Sequence, residues 1–123
     1  MYVYVDDIGR TFKNQEICFS NEFVISYKNK TLTLEKKYNP YNDIWGNYIN
    51  SINLLIGENG SGKTTILELL GSERKKKRSG ELFDKLSWFA LYRKGKDKFI
   101  IEGDGKSLIK NMNMRIFRNN WKN

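Results

Sequence analysis

The stretch that most constrains this chain is INLLIGENGSGKTTILELLG, Ile52 to Gly71. Within it, Gly57 to Thr64 matches G-x-x-x-x-G-K-[ST], the pattern of a loop that cradles phosphate. Each residue type has a physical reason to be there. Gly57, Gly60 and Gly62 permit positive φ and close backbone approach. The loop through Asn59, Gly60, Ser61 and Gly62 is expected to turn its N–H groups inward as an anion nest, backed by the positive end of the following helix. In such a loop Lys63 reaches the β- and γ-phosphates, the Thr64 hydroxyl coordinates Mg²⁺, and Thr65 can hydrogen-bond the α-phosphate. The flanks agree with the motif. Ile52 to Ile56 is nearly all apolar, as expected of a central strand covered on both faces. Ile66, Leu69 and Leu70 recur at i, i+3 and i+4, a helical stripe. Gly71 falls where a helix-terminating glycine belongs.

The chain upstream reads as β structure. Tyr2 to Val5 (YVYV) is expected as a short strand with Gln15 to Phe19 as its neighbour. Phe23 to Glu35 reads as a hairpin around Lys28 to Lys30, with Leu32 and Leu34 on one face. Tyr38 to Tyr48 holds the only proline, Pro40, and reads as a loop. Downstream, Leu86 to Tyr92, Lys98 to Glu102 and Lys106 to Lys110 are three β-like runs separated by RKGK and GDG turns, so an antiparallel meander is expected. The tail NMNMRIFRNNWKN has apolar residues without a clear period.

The loop GENGSGKTT, with Asn59 before Gly60 and the doubled Thr64–Thr65, resembles the Walker A loop of ABC-type ATPases. The resemblance is nearest to the SMC-like group: chromosome-condensation and break-repair ATPases and the OLD-type and related ATPases of anti-phage systems. The order of a short N-terminal strand, IGRTFKNQEICFS, a hairpin and then the loop resembles their N-terminal lobe. It covers about Met1 to Gly71. It implies an α/β (α+β) fold, a P-loop NTPase lobe of ABC type that is mostly β with one clear P-loop helix. It implies ATP and Mg²⁺ as ligands, bound through Gly57 and Asn59 to Thr65 with Thr64 on the metal, and a place among AAA-family ATPases.

Such an ATPase needs more than this loop. It needs a Walker B strand ending in Asp, a Glu that activates water, a glutamine loop and a signature loop on a partner. After Lys63 there is no Gln, no His and no LSGG-like run. The nearest Walker B imitation is KFIIEGDG, but Glu102 comes early, Gly103 separates it from Asp104, and GDGK reads as a hairpin turn. The expectation is therefore one incomplete domain over residues 1–123, a chain that grips phosphate and depends on a second ATPase lobe or subunit for hydrolysis.

Bulk properties narrow the rivals. The net charge of +8 makes nucleic acid a further partner class. The basic run ERKKKR, Glu73 to Arg78, reads first as a solvated loop and second as a contact to a phosphate backbone. A basic nucleic-acid-binding module is thus one alternative. A small stand-alone P-loop kinase or GTPase is another, but it needs a metal-binding Asp beside the loop. A decayed gene fragment is the third. The lack of histidine excludes His-based catalysis and His metal ligands within the chain. No apolar run of about 18 residues exists, so no membrane span is expected. A cytoplasmic location is the default for one cysteine, Cys18, expected as a small buried hydrophobe. Phe12, Tyr38, Tyr41 and Trp45 are candidates for stacking on adenine, Arg10 for contacting phosphate or base, and Trp88 and Phe89 for the core.

Overall fold

The computed structural model describes residues 1–9, 12–37, 44–46, 48–49, 51–71, 86–95 and 98–116. The basic run 73–78, Arg10, Tyr38 and Tyr41 lie outside the described residues. The elements in chain order are β1 (Tyr2–Asp7), β2 (Lys13–Cys18), β3 (Phe23–Lys28), β4 (Thr31–Lys36), α1 (Lys63–Gly71), β5 (Ser87–Arg93), β6 (Phe99–Gly103), α2 (Gly105–Leu108) and β7 (Asn111–Ile116). The strands form two sheets, β2-β1-β5-β6 and β3-β4-β7. The first is antiparallel throughout. In the second, β3 and β4 are antiparallel and β4 and β7 parallel. The fold is mixed α+β, mostly strand.

Alternation in two strands explains the layering. Successive strand side chains point to opposite faces. From β1, Tyr2 and Tyr4 join Phe23, Ile25, Leu32 and Leu34 of the second sheet, together with Phe89 and Leu91 of β5. Val3 and Val5 face the other way, with Ile8, Trp88, Ala90 and Leu69 of α1. The first sheet is therefore covered on one face by the second sheet and on the other by α1. Ile66 and Leu69 are buried, and Leu70 packs against the same cluster, so the expected stripe is the face that docks. Trp88 and Phe89 are core, as expected. Aromatic packing joins the sheets: the rings of Tyr4 and Tyr27 lie 4.4 Å apart and those of Tyr27 and Phe89 5.1 Å apart.

Turn chemistry fixes the two hairpins. Asn29 and Lys30 adopt φ of 49° and 61°, the paired left-handed residues of a two-residue turn that matches strand twist. Between β5 and β6, Gly95 has φ 76° and the Lys94 N–H donates to the Lys98 carbonyl at 2.7 Å. Polar atoms tie the sheets at their edge. Glu16 Oε2 accepts from the Tyr2 hydroxyl at 2.7 Å and from the Tyr27 N–H at 3.0 Å.

Several expectations are corrected. Ile52 to Ile56 forms no strand, and the central, doubly covered strands are β1 and β5. Ile52, Leu54 and Ile56 are 58%, 81% and 81% exposed. An apolar run becomes a central strand only where neighbours supply its ladder, and among the described residues none does. The expected third meander strand, Lys106 to Lys110, is instead the short helix α2, and GDG is a strand-to-helix turn rather than a hairpin. Asp104 decides this. Its N–H donates to the Trp88 carbonyl at 2.7 Å, its Oδ2 accepts from the Trp88 N–H at 3.3 Å, and its own carbonyl accepts from the N–H groups of Ser107 and Leu108. The tail then supplies β7, whose period was hidden because it is an edge strand with Met112 and Met114 partly exposed. Cys18 is exposed on β2 rather than buried.

Two measurements check this packing. Leu69→Ala removes a fully buried side chain and is expected to cost about 3 kcal/mol, whereas Leu54→Ala is expected to change stability by less than about 0.5 kcal/mol, both read by urea denaturation. Burial, and next the hydrogen bond to Glu16, raise the Tyr2 phenol well above its ordinary range. Burial also raises Tyr4 and Tyr27. The unfolded phenols titrate near about pH 10, so their contribution is intact below that pH and is lost above it, where the unfolded chain releases protons first. The denaturation midpoint is expected to fall steeply from about pH 10 upward, and less steeply in Tyr2→Phe.

Candidate phosphate-binding loop

The loop leads directly into α1. Ser61 N–H donates to the Glu58 carbonyl at 3.2 Å, closing a turn over Asn59 and Gly60. Gly60 and Gly62 adopt φ of 83° and 91°, conformations that side-chain-bearing residues rarely hold. The first helical bond runs from Ile66 N–H to the Gly62 carbonyl at 3.0 Å. The N–H groups of Lys63, Thr64 and Thr65 therefore lie in the first turn, where no preceding helical carbonyl serves them. Gly57 to Ser61 and Thr64 are exposed, whereas Gly62, Lys63 and Thr65 are partly covered.

Lys63 folds back over the loop. Its ammonium donates to the Gly57 carbonyl at 2.5 Å and to the Glu58 carbonyl at 2.7 Å, with Ser61 Oγ at 3.4 Å. An ammonium carries three donors and no acceptor, so backbone oxygens hold it over the loop, ready to exchange them for a stronger anion. Gly57 has no positive φ, which corrects one expectation. A Cβ there would stand 2.5 Å from Ser61 Oγ, a hydroxyl that can rotate away.

The named residues Gly57, Asn59, Gly60, Ser61, Gly62, Lys63, Thr64 and Thr65 are thus brought together at one helix N-terminus. Thr64 is exposed there, and its hydroxyl is of the kind that suits Mg²⁺, an ion that takes few protein ligands and completes its shell with phosphate oxygens and water. Among the described residues no group of three or more His, Cys, Asp or Glu could hold a metal without a phosphate. Asp104 is engaged with the Trp88 N–H and starts α2.

Of the aromatic candidates, Trp45 is half exposed in an irregular segment. Phe12 is at the loop, in a place that composition and spacing do not reveal. A Cβ added to Gly62 would stand 2.4 Å from two of its ring carbons. Elsewhere, a cavity of about 250 Å³ is lined by Met1, Phe19, Phe23, Leu91 and Phe99, with the Glu22–Arg93 ion pair at its wall. None of the loop residues lines it.

Comparison of the chain with protein-family models, curated proteins and solved structures found no match. Among the described residues no helix is long and apolar enough to cross a membrane.

The two left-handed glycines should respond unequally to substitution. Gly60→Ala has open space around the new Cβ and is expected to cost only the conformational penalty, about 1–2 kcal/mol. Gly62→Ala adds a collision with Phe12 and is expected to cost more, measured by equilibrium denaturation of both variants side by side.

Proposed function

We propose that the chain binds Mg·ATP through Gly57 to Thr65, as the N-terminal lobe of an ABC-type, SMC-like ATPase. The observation that carries the reading is the Lys63 ammonium folded over the Gly57 and Glu58 carbonyls, beside two left-handed glycines at the N-terminus of a packed helix. Bound triphosphate would draw Lys63 off those carbonyls onto its β- and γ-oxygens. The loop amides and the first-turn amides of α1 would hold the remaining charge, where the helix end favours an anion. Mg²⁺ neutralises charge on the terminal phosphates, and the Thr64 hydroxyl would be its ligand from this chain.

The same reading assigns the chain a grip rather than a cut. Water activation needs a carboxylate beside the γ-phosphate. Among the described residues, Asp104 is tied into the β5–α2 junction instead. The exposed apolar run Ile52 to Ile56, just ahead of the loop, supports a partner lobe or subunit that supplies the neighbouring strand and the missing catalytic groups.

The test is binding of a fluorescent ATP analogue, with Mg²⁺ and with EDTA. Lys63→Ala removes charge-assisted bonds to phosphate worth about 3 kcal/mol and is expected to weaken binding on the order of a hundredfold. Equal affinity in wild type and Lys63→Ala would overturn the proposal. The purified chain is expected to show no turnover of ATP by itself. Tight nucleic-acid binding that falls steeply with salt and ignores Lys63→Ala would instead favour a nucleic-acid-binding module, the reading that the +8 charge supports.

A further inference from the structure

We propose that Phe12 is a positioning residue for the phosphate loop, holding Gly62 in its left-handed conformation from below. The inference rests on Gly57 to Thr65 being a polyphosphate site. It assigns Phe12 to the backbone of that site and not to the base of a nucleotide.

The ring is anchored from behind. Phe12 packs against the cluster of Val3, Val5, Ile8, Leu69, Trp88 and Ala90, between the first sheet and α1. Its backbone closes the β1–β2 connection, where its carbonyl accepts from the Ile8 N–H at 3.4 Å. The same connection is turned by Gly9, with φ 79° and an N–H that donates to Asp7 Oδ1 at 2.7 Å. Ile8 itself is fully buried. The ring therefore has a fixed seat.

The front of the ring meets Gly62. Cε2 and Cζ would both lie 2.4 Å from a Cβ at that position, so ring carbon fills the volume that any side chain would need. Gly60, two residues earlier, has nothing within 4 Å of where its Cβ would stand. Gly62 is thus the loop glycine that touches the hydrophobic layer, and it precedes the first-turn amides of α1. Its φ of 91° sets the direction of the peptide that joins it to Lys63. A loop otherwise exposed to solvent is prone to local opening. A ring wedged under one of its two left-handed residues keeps the nest formed before ligand arrives, which lowers the ordering cost of binding.

Base stacking and loop positioning predict different losses. Phe12→Leu keeps apolar bulk in the seat, and Phe12→Ala empties it. Affinity is measured for Mg·ATP and for Mg·tripolyphosphate, which has no base, alongside the NMR shift of the Gly62 α-protons. Ring contact is expected to displace those protons in wild type, and the displacement is expected to vanish in Phe12→Leu while the melt remains cooperative. Both ligands are expected to lose affinity by the same factor, about tenfold, the equivalent of one hydrogen bond to charge. Loss confined to Mg·ATP would overturn the inference in favour of base stacking. An unperturbed Gly62 α-proton in wild type, or full affinity for both ligands in a folded Phe12→Ala, would also overturn it. Wild type that binds neither ligand would overturn the polyphosphate reading itself and take this inference with it.

Discussion

The pairing of β1 with β5 is the constraint on which the rest of the molecule depends. Both strands are buried on both faces, and their registered partners (Val3 with Ala90, Tyr4 with Phe89, Val5 with Trp88) divide strictly between the two sides. Tyrosine and phenylalanine meet the second sheet. Valine, alanine and tryptophan meet α1. A one-residue slip would exchange the two sets, turning tyrosine and phenylalanine toward the helix and valine, alanine and tryptophan toward the second sheet. That would leave gaps on one side and overpacking on the other, each destabilising by kilocalories. Register here is therefore tightly specified, and with it the placement of α1 and of the loop at its start.

The candidate phosphate loop inherits its position from behind, through the helix. Leu69 and Leu70 fasten α1 to the sheet, and Phe12 carries the same packing forward to Gly62. The loop itself adds few apolar contacts, so its shape is held by short-range polar geometry: the Ser61–Glu58 turn and the Lys63 ammonium on two carbonyls. Those polar bonds are exchangeable for an anion without disturbing the core. The Lys63 contacts are thus separable from the core, whereas Gly62, which meets the core residue Phe12, is not.

Much of this was legible locally. The β3–β4 hairpin could be read from strand-rich runs around a polar turn, with Leu32 and Leu34 two apart, because turn and alternation are both short-range. The helix after the loop was legible from Ile66, Leu69 and Leu70, and the gathering of the loop residues followed from the motif. What failed was non-local. The run Ile52 to Ile56 has the composition of a buried strand, but burial belongs to the neighbours and not to the run. Lys106 to Lys110 has strand propensity, yet the hydrogen bonds of Asp104 to Trp88 begin a helix there. The strand β7 pairs in parallel with β4, some eighty residues earlier, and the N–H groups of Lys110, just before it, and of Asn111 both reach the Lys30 carbonyl. No local pattern in NMNMRI announces that partner. Phe12 was legible only as one of several upstream aromatics that could stack on adenine, and its place against Gly62 needs the β1–β2 turn in three dimensions.

The exposed run ahead of the loop carries the last physical consequence. Ile52, Leu54 and Ile56 hold apolar surface in water, which a chain tolerates singly but which favours burial when contiguous. Asn53 makes the contact that ties this run to the sheet edge, its side-chain amide donating to the Phe19 carbonyl at 3.4 Å. A strand that joined Ile52 to Ile56 would bury that surface and satisfy its backbone groups together, so the two gains reinforce each other. It would also clamp the loop from the side opposite α1, at Gly57. Before such pairing the loop is held at its C-terminal end by Gly62 and the helix, and at its N-terminal end by the exchangeable bonds of Lys63 to the Gly57 and Glu58 carbonyls. After it, the backbone ahead of Gly57 would be fixed as well. Burial of the apolar run and ordering of the backbone that leads into the loop would therefore come together.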